Sequence, residues 1–98
     1  GANLSKAVLT GSNLSFARME QANCAQACFT DTNLEQTKLI GVNFSDALLD
    51  RSNLNRADLA WANITRADLS GASLAQAKLW QNNLYDTDFQ NANLSQAD

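Results

Sequence analysis

Ala62-Asn63-Ile64-Thr65-Arg66 and Ala67-Asp68-Leu69-Ser70-Gly71 are consecutive five-residue words of one form: a small residue, Asn or Asp, a large apolar residue, and two further positions that are mostly polar. Extended in both directions, the word fills the chain. Its apolar centres are Leu4, Leu9, Leu14, Met19, Cys24, Phe29, Leu34, Leu39, Phe44, Leu49, Leu54, Leu59, Ile64, Leu69, Leu74, Leu79, Leu84, Phe89 and Leu94. No centre is polar and the frame never slips. The residue two before each centre is Ala in most words and Ser, Thr or Val in nearly all the rest, with Asn82 the largest departure.

A period of five suits neither regular element. On a helix of about 3.6 residues per turn, apolar centres at that spacing would wander around every side. On a strand, a centre and the small residue two before it share one face, but the next pair would point the opposite way. The chain must therefore bend once per word. A short extended segment followed by a corner winds into a coil with Ala and Leu inside and the other positions outside, which predicts an all-β solenoid, a β-helix.

Asn precedes the centre in alternate words, from Asn3 through Asn93, with Ser73 the one exception among them. Like stacks on like only if a coil holds an even number of words. Two words cannot enclose a core, so the pattern predicts four words and 20 residues per coil, almost five coils in all. Charges agree: Asp46, Arg66 and Asp86 alternate in sign at that spacing, as do Lys38, Asp58, Lys78 and Asp98, and Asp31 falls under Arg51. Arg18 with Lys38 and Asp68 with Asp88 are exceptions. At about 4.8 Å per coil the stack should stand roughly 24 Å tall. Its core ladders are Leu14, Leu34, Leu54, Leu74 and Leu94 on one wall, with Phe29, Phe44 and Phe89 among the bulkiest centres on others. All four glycines end a word, where a type II corner favours positive φ, and proline, which would break the ladders, is absent.

The 98 residues suit a single domain, residues 1–98, and 45% hydrophobic against 17% charged composition excludes a disordered segment. A net charge of −3 argues against neutralising phosphates, so direct nucleic-acid binding is not expected. No apolar run is long enough to span a bilayer and no signal-peptide pattern is visible, so the expectation is a soluble protein, cytoplasmic by default, with no membrane contact. Cys24 and Cys28, in a chain without His, lack the usual partners for zinc, and no cofactor is expected. Cys24 faces inward as a filler and Cys28 outward, which disfavours a bridge between them. The Asn-X-Ser/Thr matches arise from the repeat itself.

Catalysis needs a nucleophile with a base or paired acids in a cleft, and a convex prism without His offers neither; no catalytic residue is assigned. Asp68, Asp86 and Asp88 share one upper edge, where a solvated acidic surface is the simpler reading than a cation site. The outward apolar residues are more informative. Trp61 and Trp80 lie near one corner, with Ile40 and Ala60 in the column of Trp80, and Val8, Cys28 and Leu48 form a second outward column. Such patches mark contacts, although isolated apolar residues on a surface are ordinary.

The repeated Ala-Asp/Asn-Leu word, direct in Ala57-Asp58-Leu59 and Ala67-Asp68-Leu69, resembles the pentapeptide repeat family over the whole chain. The resemblance implies a right-handed quadrilateral β-helix. The residues themselves point to a non-catalytic structural and protein-interaction module; the resemblance adds a second role, a DNA-mimicking inhibitor or protector of a type II topoisomerase. The alternating charges and small acidic excess favour the first. Neither terminus carries a polar cap, so the chain is expected to continue a longer array or to self-associate, end to end or through the Trp corner, or else to meet an unknown protein partner.

Overall fold

The computed structural model describes all 98 residues. Every word turns at its last two positions. The N–H of Ala7 donates to the Leu4 carbonyl at 3.0 Å, and this four-residue turn recurs at five-residue intervals. The last residue of each word is left-handed: sixteen non-glycine residues, from Lys6 (φ 61°) to Gln96 (φ 58°), join Gly11, Gly41 and Gly71 there. Positive φ at the third turn residue makes these type II corners. The glycines are thus the unstrained minority of a general requirement. None of the sixteen is β-branched, the class for which this conformation is most costly.

Between corners the chain pairs with itself. Fifteen parallel bridges join residues 20 apart, from Asn3 with Asn23 to Ser73 with Asn93, so four words separate stacked residues. Three backbone bonds serve each word. Leu4 N–H donates to the Asn23 carbonyl at 2.7 Å, Lys6 N–H to the Ala25 carbonyl at 2.9 Å, and Asn23 N–H back to the Ala2 carbonyl at 2.8 Å. The expected extended segments shrink to isolated bridge residues, because a corner follows each bridge within two positions. The molecule measures 30 × 27 × 25 Å.

The Ala and centre positions meet along the axis in one cluster of 20 buried residues. Leu34, Leu54 and Leu74 are fully buried, Leu14 is half-buried at the lower end, and Phe29 and Phe44 pack edge to face with ring centroids 5.3 Å apart. Phe89 is half-buried, whereas Leu94, expected as the fifth rung of its ladder, is 41% exposed because no level covers it. Polar residues at the inward small position stay bonded: Thr37 and Ser52 hydroxyls donate to the Leu34 and Leu49 carbonyls at 2.7 and 2.6 Å. Asn82 is the misfit. Its Nδ2 donates to the Leu59 carbonyl, its Oδ1 is buried without a partner, and the Leu79–Asn82 turn bond is missing.

The Asn columns serve chiefly the corners. Oδ1 of Asn3, Asn13, Asn23 and their counterparts accepts the N–H two residues on, at 3.1 Å in these three, while Asn43 to Asn23 along the stack is a long 3.4 Å. Asp58, Asp68 and Asp88 cap in the same way. This use explains why Lys38, Asp58 and Lys78 stack in register without forming an ion pair: the carboxylate is turned toward the Ala60 N–H. At the corners the predicted pairs do form. Arg66 holds Asp46 at 2.8 and 3.1 Å, and Arg51 holds Asp31 at 3.0 and 3.2 Å. Arg66 reaches down to Asp46 rather than up to Asp86, and Arg18 pairs with Glu20 at 3.6 Å.

Two outcomes follow. Ala57 is fully buried, so Ala57→Leu should lower the urea midpoint by the equivalent of about 1–3 kcal/mol, measured against the wild type. The Arg66 guanidinium holds the Asp46 carboxyl below its usual range. A depressed carboxyl stabilises the fold above its unfolded pKa and ceases to as pH falls through the folded value. Asp46→Asn should therefore be less stable than the wild type at neutral pH and equal to it in strong acid, read from paired urea titrations.

Candidate functional site

The fourth and fifth positions of each word point outward at a corner, so a large apolar residue placed there is presented on rigid backbone. Trp61 takes the left-handed position (φ 63°), and its N–H donates to the carbonyl of Trp80 at 3.2 Å. The two indoles therefore leave one corner at consecutive levels, 60% and 49% exposed. Ile40 lies exposed below them. Ala60, expected to share in this surface, is instead buried at 2%: its methyl stands between the larger Ile40 and Trp80 at level spacings of about 4.8 Å. The apolar corner is thus Ile40, Trp61 and Trp80.

The second column is in register as expected, through the bridges Val8 with Cys28, Cys28 with Leu48, Leu48 with Asp68 and Asp68 with Asp88. Val8 is 76% exposed and Leu48 is exposed, while Cys28 is partly covered. The column lies on a different wall from the Trp corner and does not join it. Phe16 and Tyr85 are further exposed aromatics that the sequence reading passed over. Each occupies an outward corner position, the same signal that marked Trp61 and Trp80. The surface has no pocket, and no group of three or more His, Cys, Asp or Glu side chains converges. No helix is long and apolar enough to cross a membrane.

The two thiols differ sharply. Cys24 is fully buried, and burial pushes its pKa up to about 11. Cys28 Sγ lies 3.2 Å from the Thr10 hydroxyl, which lowers its pKa; the Thr30 hydroxyl, also near, is committed to Asp50 Oδ1 at 2.6 Å. Both cysteines are free. A disulfide reagent at neutral pH should modify one thiol in the native chain, Cys28, and the second only after denaturation; Thr10→Val should slow the first reaction.

The comparisons with known proteins agree with this geometry. The sequence model described as pentapeptide repeats (8 copies) matches residues 1–23, 27–66 and 62–98. The chain is similar to HetL, a pentapeptide repeat protein involved in heterocyst differentiation regulation in the cyanobacterium Nostoc sp. strain PCC 7120. The identity is 31% and the TM-score 0.96, over 99% of this chain and 46% of HetL. It is also similar to the pentapeptide repeat protein Rfr23 of Cyanothece 51142, at 30% identity and TM-score 0.68, over 88% of this chain and 60% of Rfr23. It spans less than two thirds of either. QnrB1, a plasmid-mediated fluoroquinolone resistance protein, overlays at only 19% identity and TM-score 0.33, too loosely to bear on function. No curated protein sequence matches. Five-residue words, left-handed corners and the overlay on HetL make the fold a right-handed β-helix, and the chain belongs to the pentapeptide repeat family.

Proposed function

We propose that this chain is a non-catalytic interaction module, a rigid four-sided scaffold of four pentapeptides per coil and almost five coils, whose Trp corner meets a protein partner. The observation that carries the reading is the pair of half-exposed indoles of Trp61 and Trp80 at consecutive levels of one corner, with Ile40 beneath. Large aromatics held by fixed backbone bury contact area at little entropic cost, and such residues dominate binding energies. The Val8, Cys28 and Leu48 wall is a weaker second surface, since Asp68 and Asp88 end its apolar run. The reading involves no cofactor, no direct nucleic-acid contact and no membrane.

The other reading is a DNA-mimicking inhibitor or protector of a type II topoisomerase. Mimicry needs uncompensated rows of carboxylates. Here Asp46 pairs with Arg66 on the next level, and Asp31 and Asp50 share Arg51, the latter at 3.1 Å, so the carboxylates are largely compensated, which favours the first reading.

Trp61→Ser and Trp80→Ser, which lie outside the axial core, should keep the circular-dichroism spectrum and a cooperative melt. Each should weaken binding of a protein captured by the wild-type chain by about 30-fold, whereas Asp68→Ser should not. Equal capture by all the variants would sink the Trp-corner reading. Inhibition of gyrase supercoiling that added salt relieves would establish the alternative.

A further inference from the structure

Asn82 occupies the inward position that every other word gives to Ala, Ser, Thr or Val, and its turn alone stays open. Each other centre carbonyl, from Leu4 to Leu94, accepts the N–H three residues on; that of Leu79 does not. Thr87, Ala92 and Ala97, on the same level as Asn82, close their turns at 3.1, 2.9 and 3.0 Å. The opening therefore belongs to this residue and not to its height in the stack.

Its cause is the reach of the side chain. Asn82 Nδ2 donates to the Leu59 carbonyl, 23 residues earlier, at 2.6 Å. Thr32 and Thr87 hydroxyls make the same downward bond, to the Leu9 and Ile64 carbonyls at 3.0 and 2.7 Å, with their own turns closed at 3.1 Å. A hydroxyl on Cβ spans the gap, whereas an amide places one more atom between Cβ and the donor. That excess length holds the Asn82 backbone off the Leu79 carbonyl and lifts the chain around it. Trp61 N–H to Trp80 at 3.2 Å, Ile64 N–H to Asn83 at 3.1 Å and Asn83 N–H to Ala62 at 3.1 Å are each the longest bond of their kind in the stack.

The lifted turn is the one that presents Trp80. We infer that Asn82 is a positioning residue for the Trp corner: it opens the Leu79–Asn82 turn, sets the Trp80 indole off from Trp61, whose own turn is closed by Ala62 at 3.0 Å, and so fixes the shape that a partner meets. Its part in recognition rests on the proposed function; its effect on the corner does not. The arrangement costs stability, with a turn bond missing and Oδ1 buried without a partner, where Ala serves most other words. An open turn confined to the place where an indole is displayed points to a site and not to packing.

Amide hydrogen exchange and tryptophan fluorescence test this without a partner. In Asn82→Ala the turn should close, raising the protection factor of the amide at position 82 about tenfold, toward those at 87 and 92, and raising the urea midpoint. Asn82→Thr, which keeps the downward bond without the extra reach, should do the same, and Thr87→Asn should lower protection at position 87 by a similar factor. In a Trp61→Phe background, which Phe16 shows to be compatible with the left-handed position, Asn82→Ala should shift the emission maximum of Trp80. A wild-type amide at position 82 already as protected as those at 87 and 92, protection or a urea midpoint that fails to rise in Asn82→Ala, or a closed turn that leaves the Trp80 emission unmoved would each overturn the inference. None of these readouts depends on whether the Trp corner binds a protein, so the two readings fail separately.

Discussion

The positive φ of Lys6, Gln26, Asp46 and their counterparts turns the backbone through a corner every fifth residue, and the remaining architecture depends on it. A left-handed residue in a type II turn reverses the alternation of side chains that a strand would impose. The next small residue and centre can then point inward again. Each such corner costs something for a residue with a Cβ. The cost is offset because the same residue's N–H donates to the level above, as Lys6 does to Ala25, and because in most words Asn or Asp three residues earlier holds the turn through its side chain. Corner, cap and inter-level bond thus support one another, and the word recurs with little freedom at its first and third positions, while the second alternates the capping Asn with more varied residues.

That economy explains which features were legible in the residues alone. The period of large apolar centres and small residues marks the axis because those two sizes fill it together, and the alternation of Asn gives four words per level because like stacks on like. The charges were legible at the corners, where Arg66 and Asp46 point freely outward, and misleading along the walls, where Asp58 turns back to its own backbone. Ala60 was placed on the right column but buried by its neighbours, since column membership does not reveal the relative size of what stands above and below. Phe16 and Tyr85 lay in plain view at corner positions. The absence of β-branched residues among the left-handed positions was a further signal, more general than the glycines.

The surface divides by the same logic into residues that serve the fold and residues free to do something else. Asn and Asp before the centres are occupied with capping, and Asp31, Asp46 and Asp50 with arginines. Trp61, Trp80, Ile40, Phe16 and Tyr85 have no such structural employment, and their side chains leave the stack outward into solvent. Specificity in such a scaffold resides in the variable fourth and fifth positions, which can change without touching the axis. HetL shares the fold with only 31% of residues identical, as that division of labour permits.

Every inter-level bridge spans the same 20 residues. The entropy of closing a loop depends on its length, so the first circuit meets one substantial barrier and each later one closes against a template already in place. Assembly of the stack is therefore a zipping reaction, in which one closed level templates the next. Such a molecule gains and loses order by whole turns of its coil, and the levels around the fully buried Phe44 and Leu54 exchange their amide protons slowly.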